Sequence, residues 1–176
     1  MNGTNLRREI ENTNNCDYRV SLIIPIYNMA EWLDTCFRSI LNQSIDPQMV
    51  EVLMIDDGSE DNSLDIMKRY SEKYSNFKCY TKENGGPAQA RNYGIKHATG
   101  KYLMYLDPDD YLGKNTIESV CNFFDRHYDE IDVVTYKIIP IKDGEEQDLH
   151  FRYEVLKSQG VYDLTEPENS FICHTT

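Results

Sequence analysis

Apolar residues in this chain fall into two kinds of pattern. Val20–Ile24 (VSLII), Val50–Ile55 (VEVLMI) and Tyr102–Leu106 (YLMYL) are short, nearly unbroken runs, and Phe77–Thr81 alternates in part. Runs of this length, bounded by Pro, Gly or charge, predict strands, and the unbroken ones predict burial on both faces, as in a parallel sheet. Between them apolar residues recur every three or four positions. Leu33, Phe37, Ile40 and Leu41 predict one helix, and Leu64, Met67, Tyr70 and Tyr74 a second. A third is predicted from about Ala88 to Ala98 with Gly100 as its stop, and a fourth around Ile117, Val120, Cys121 and Phe124. Asn28, with Glu31 three residues later, has the pattern of a helix cap for the first of these. Strand and helix therefore alternate through about Asp129. This predicts an α/β fold of Rossmann-like type, a mostly parallel sheet with helices on both faces.

The flanks read differently. Residues 1–17 are polar, Asn-rich and aperiodic, which predicts a flexible extension with some helix near Leu6–Glu11. After the domain at 18–139, with Ile131–Ile139 as a further strand, Asp143-Gly144 predicts a C-terminal hairpin. Its return strand would carry Leu149, Phe151, Tyr153 and Val155.

Composition narrows the possible partners. At 176 residues the chain holds one full domain, and 40% hydrophobic with 27% charged residues is a globular balance. Thirty acidic residues against 18 basic ones give a net charge of −12. That argues against nucleic acid, whose binding is built on clustered Lys and Arg. A phosphorylated ligand would need a cation or local Arg and Lys beside it. The five cysteines are an odd number without a CxxC pair, which fits reduced thiols in a cytoplasmic protein. No run reaches the ~20 apolar residues of a membrane span, which leaves room for peripheral association at the inner face of a membrane. None of the four His is placed like a triad member or a metal ligand, and Trp32 is expected to pack.

The candidate chemistry lies where the predicted strands end. The run at 102–106 stops at Asp107-Pro108-Asp109-Asp110, and the run at 50–55 stops at Asp56-Asp57. Clustered carboxylates repel one another unless a cation or donors offset them. In a parallel sheet both clusters share the carboxyl edge with the Pro25–Asn28 turn, where ligands of open α/β sheets bind. Hard carboxylate oxygens suit Mg2+ or Mn2+, and such an ion can bridge a diphosphate and stabilise its charge as it leaves. Asp57, too far off for that ion, is better used as an acceptor for N–H or O–H groups of a base or ribose. Gly85-Gly86-Pro87 lets the backbone approach a ligand and opens a helix N-terminus, where amides favour anions. Arg91 and Lys82 add local positive charge.

Taken together, VSLIIPIYN (20–28), LNQS (41–44), VLMIDDGSEDNS (52–63) and ENGGPAQARNYGIKHATGKYLMYLDPDDYL (83–112) resemble family-2 glycosyltransferases with the GT-A fold. The resemblance covers roughly Val20–Lys137, and it rests on the order and spacing of four motifs. It implies a metal-dependent, inverting transfer of sugar from a UDP-sugar donor to the hydroxyl of a saccharide or glycan acceptor, in polysaccharide or cell-surface glycan synthesis. It places Pro25, Tyr27 and Asp57 at the nucleoside and Asn28, Asp56, Gly85, Gly86 and Arg91 along the donor site. Asp107-Pro108-Asp109 matches the family's D-x-D motif. Asp109 is then the leading metal ligand, Asp107 lies nearer the ribose or sugar as a second ligand, and Asp110 continues the donor-side turn. The family's catalytic carboxylate comes from an acceptor-binding segment, expected here beyond Thr176, with residues 140–176 as the start of that region. An incomplete, non-catalytic nucleotide-sugar-binding module of a longer protein is the alternative. A receiver domain fits poorly, because the acidic clusters follow the second and fourth strands. A nucleotidyltransferase lacks its glycine-rich first loop here.

Overall fold

The structure is a computed structural model that describes residues 18–131, with positions 133, 139, 141–142 and 145–146 beyond them. The chain divides into two compact units, Met1–Asp125 and Arg126–Thr176. In the first unit four strands, β1 (Val20–Ile26), β2 (Val50–Asp56), β3 (Phe77–Thr81) and β4 (Tyr102–Tyr105), form one sheet. Its order is β3-β2-β1-β4 and every pairing is parallel. Four helices join and follow the strands: α1 (Ala30–Leu41), α2 (Ser63–Lys73), α3 (Pro87–His97) and α4 (Thr116–Arg126).

The topology follows from the handedness of parallel crossovers. The chain moves outward through β1, β2 and β3, so right-handed connections place α1 and α2 on one face. It then returns across the sheet to β4, so α3 lies on the other. On the first face Phe37 meets Tyr70 and Phe77 edge-on, with ring centroids 4.8 and 5.8 Å away. On the second, Ala90 of α3 packs against Ile23, Leu53 and Ile55, all fully buried. Gly94 lets this helix come close: a Cβ there would stand 2.5 Å from Cγ2 of Ile23.

β1 and β2 are buried along their whole length, as unbroken apolar runs require. β1 also runs through Pro25, where the sequence suggested a stop. Pro25 pairs with Ile55, and the neighbouring carbonyls keep the chain in register. Leu106 N donates to Ile23 O at 3.1 Å and Asp57 N to Ile26 O at 2.8 Å. β4 differs from expectation. Its burial alternates, with Tyr102 and Met104 inside and Leu103 and Tyr105 about 40% exposed. It is the outermost described strand beside β1, so only one of its faces is covered by the core. Trp32, expected to pack, is also largely exposed, one position off the buried stripe Leu33, Cys36, Phe37 and Ile40.

One buried charge ties the amino edge of the sheet together. Glu51 lies near the start of β2, between Val50 and Val52, with no exposed surface. Burial would raise its carboxyl, but bonds from Lys78, Ser21 and Thr99 outweigh that and hold it below the ordinary value. Lys78 Nζ stands 2.5 Å from it, and Thr99 contributes its amide and hydroxyl, both at 2.9 Å. A second knot sits beside β4. Asp125 accepts from Lys101, Tyr102 and Arg19, which overcome its partial burial and hold its carboxyl far below the usual range.

In the second unit Ile141–Lys142 and Glu145–Glu146, the strands β5 and β6, pair antiparallel, Ile141 with Glu146 and Lys142 with Glu145; the predicted turn at Asp143-Gly144 lies outside the described residues. Ile131, Val133 and Ile139 carry no strand assignment. The rest of that predicted strand, the return strand at 149–155 and the N-terminal extension lie outside the described residues.

Candidate functional site

The carboxyl ends of β1, β2 and β4 meet around a cleft of about 440 Å3. Pro25 and Tyr27 come to it from β1, Asp57 from β2, Gly86 and Arg91 from the start of α3, and Asp107 and Asp109 from the turn after β4. Two acidic segments 50 residues apart in sequence thus open onto one space.

Asp57 is 3% exposed, and its carboxylate is the organising group on this side. Lys82 Nζ is paired with it. Gly85 N donates at 3.1 Å and Gly86 N at 2.7 Å. Gly86 has φ of 87°, a left-handed value that L side chains avoid, and Pro87 follows as the first helical residue of α3. The sequence reading gave the amides of this loop to a ligand. In the structure the amides of Gly85 and Gly86 are spent on Asp57, and Gly85 does not line the cleft. Their role is to hold a carboxylate in place at a helix N-terminus.

Asp56 points elsewhere. It is 1% exposed and closes its own turn, accepting from Ser59 N at 3.1 Å and from Thr81 Oγ1 at 3.0 Å. Asn28 is neither at the cleft wall nor the cap of α1. It has φ of 52°, and its Oδ1 accepts from Glu60 N at 2.8 Å. Met29 takes the cap position without a side-chain bond. The first amides of α1 are satisfied from the next βα unit: Met29 N donates to Ser63 Oγ at 2.9 Å and Ala30 N to Asp61 Oδ2 at 3.0 Å. The physical reason is sequence distance. A capping-box pattern registers only neighbours in the chain, whereas these caps come from more than 30 residues away.

On the opposite wall Arg91 donates to Asp107 Oδ1 at 2.6 Å. Asp109 lines the cleft beside it, but Asp110 does not. Burial, then Asp109 and Asp107, push the Asp110 carboxyl up. Burial and the same three carboxylates push the Cys36 thiol up to about 12, so this cysteine is an inert packing residue under the turn. Among the described residues no three His, Cys, Asp or Glu side chains stand close enough to hold a metal by themselves. The cleft instead offers two hard carboxylates, Asp107 and Asp109. That donor set fits a small divalent cation completed by ligand phosphates and water. Met29, Asn84 and Pro108 also line the space; Asn84 and Pro108 lie inside the motifs, and Met29 had no signal in the sequence. Lys82 was legible only as a nearby charge.

Residues 21–176 match the family described as "Glycosyl transferase family 2". The chain is 44% identical over 128 residues to the minor teichoic acid biosynthesis protein GgaB of Bacillus subtilis (strain 168). That alignment covers 72% of this chain and 14% of GgaB. Staphylococcus aureus TarS, named as a poly(ribitol-phosphate) β-N-acetylglucosaminyltransferase, is also similar, at 31% identity over 68% of this chain. The structure of TarS 1–349 with UDP superposes with a TM-score of 0.59 at 32% identity, covering 62% of this chain and 33% of that one. TarS 1–349 has also been solved with UDP-GlcNAc. The mannosyltransferase PcManGT of Pyrobaculum calidifontis, in complex with GDP-Man and Mn2+, gives a TM-score of 0.55 at 25% identity. It is covered over 32% of its length, and this chain over 60%. The chain therefore spans a third or less of these relatives.

Proposed function

The chain belongs to glycosyl transferase family 2, and we propose that its cleft binds a UDP-sugar together with Mn2+ or Mg2+ for transfer of the sugar to an acceptor hydroxyl. The observation that carries this reading is the meeting of Asp57 with Asp107 and Asp109 across one cleft. Asp57 is an acceptor-only group held rigid by Lys82 and two amides, so it selects a base edge that presents an N–H. Tyr27, 42% exposed at the cleft, offers a ring face to the nucleoside. Asp107 and Asp109 would hold the cation, which when bound neutralises charge building on the leaving diphosphate. Arg91 fixes Asp107 in position and puts a second positive charge near the phosphates. The sugar leaves by single displacement with inversion. The base that takes the acceptor proton would come, as the resemblance to the family implies, from an acceptor-binding segment. One relative named for teichoic acid and another named for poly(ribitol-phosphate) point to a phosphate-bearing polyol chain as acceptor.

The test is a melting series with UDP, with and without Mn2+. UDP alone should raise the melting temperature slightly, and UDP with Mn2+ clearly. Asp109→Asn should remove the metal-dependent part and leave the rest; a UDP response indifferent to the ion overturns the metal assignment. Because the chain spans only part of its relatives, a donor-binding module without turnover is the second reading. Binding of UDP and Mn2+ without sugar transfer to any polyol phosphate selects it.

A further inference from the structure

A second concavity, of about 630 Å3, lies on the far flank of the acidic turn. The turn separates the two spaces. Asp107, Pro108 and Asp109 face the donor cleft, whereas Tyr111 and Leu112, next in the chain, face the other. The opposite wall is the second half of α1, with Arg38 and Asn42, and Lys114 closes the rim. The charge pattern here reverses that of the molecule. In a chain of net charge −12, this concavity is lined by two cations and no carboxylate.

The walls are fixed. Ser39 Oγ donates to Cys36 O at 2.6 Å and accepts from Leu112 N at 3.0 Å, which ties the segment after the turn to α1. Gln43 reinforces the joint, donating to Gly113 O at 2.8 Å and accepting from Ile117 N at 3.0 Å. Arg38 stands near Tyr70, whose hydroxyl donates to Asp34 at 2.9 Å, and its guanidinium carries five N–H donors. Tyr111, 53% exposed, presents its ring beside these cations.

We propose that this second concavity is a subsite for a distal, phosphate-bearing part of a polymeric polyol or sugar acceptor. The inference rests on the glycosyl-transfer reading above. Arg38 and Lys114 offset a phosphodiester, Asn42 and Thr35 meet hydroxyl groups, and Tyr111 covers the carbon backbone. A chain bound there runs past the acidic turn that carries Asp107 and Asp109. It therefore holds the acceptor near the donor at high effective concentration. A short acceptor reaches only one of the two spaces and gains nothing.

The experiment titrates this chain, loaded with UDP and Mn2+, with an oligomer of glycerol phosphate, with monomeric glycerol phosphate, with a neutral saccharide oligomer and with anionic phospholipid vesicles. The oligomer should bind with an affinity that falls as salt rises, and the monomer far more weakly. Arg38→Ala with Lys114→Ala should weaken oligomer binding about tenfold, while UDP affinity and melting temperature stay unchanged, since both side chains are exposed. Arg38→Lys with Lys114→Arg should restore it in part. A double alanine variant that binds the oligomer as well as the native chain overturns the inference. So does a native chain that binds UDP but no oligomer, or one in which only the vesicles show the Arg38 and Lys114 dependence. Loss of UDP binding in the native chain would strike the donor reading instead, and the two failures are distinguishable.

Discussion

Glu51 near the start of β2 and Asp57 just past its end are both buried carboxylates, yet they serve opposite edges of the sheet. Asp57 is held by Lys82 together with the amides of Gly85 and Gly86, and removing the cation would leave its charge to the two amides alone in a nearly dry site. Lys82→Met should cost about 1–3 kcal/mol, the range for losing a bond to a buried charged group. It should also weaken UDP binding, because the Asp57 acceptor would be less firmly held, whereas Lys82→Arg should recover part of both. Thermal melting and calorimetry check the two effects. Glu51 carries a pH signature. Its folded carboxyl sits below its ordinary value, so the unfolded chain binds more protons through that range. The stability it contributes is present above the ordinary carboxylate value and lost as pH falls through the folded one. Glu51→Gln should therefore flatten the acid limb of the stability curve while lowering stability at neutral pH, as urea unfolding at several pH values would record. Neither lysine role was legible in sequence, because Lys78 and Lys82 reach their partners only after β2 and β3 align in register. The Asp residues themselves were legible, because strand ends are punctuated locally.

Among the elements, α3 depends most on a single position. Gly94 faces Ile23 so closely that any side chain must displace it. Gly94→Val should cost about 1–3 kcal/mol by overpacking. Combining it with Ile23→Ala should recover some of that loss, and a double-mutant cycle measures the coupling. Strand and helix positions followed well from the hydrophobic pattern because central strands and amphipathic helices carry strong periodic signals. β4 was misjudged for the same physical reason: an apolar run does not reveal whether its strand has cover on one face or two. Leu103 and Tyr105 look identical in sequence to residues of a buried strand. Asn28 illustrates the complementary limit. Its pattern predicted a helix cap, but its Oδ1 accepts from Glu60 N in the loop ahead of α2, and the amides of α1 are met by Asp61 and Ser63.

For the molecule as a whole, the excess of acid makes an anionic ligand depend on a cation. If the donor reading holds, saturating UDP with Mn2+ stabilises the fold by mass action, about 2.7 kcal/mol at a hundred times the dissociation constant. Adding a chelator should return the melting temperature almost to the ligand-free value, and Asp109→Asn should make the chelator without effect. The convergence of the site was readable from topology, because parallel strands send their carboxyl ends to one edge. The basic second concavity was not readable, since Arg38 and Lys114 are 76 residues apart and each reads as an ordinary surface residue. The borrowed cap of α1 has a last consequence. The amides of Met29 and Ala30 are bonded to Ser63 and Asp61, and Met29 also borders the donor cleft. Their resonances in a nitrogen-edited spectrum should therefore move together when nucleotide enters. A native, unlabelled ligand could then be followed from two backbone signals that belong to neither the acidic turn nor a charged side chain.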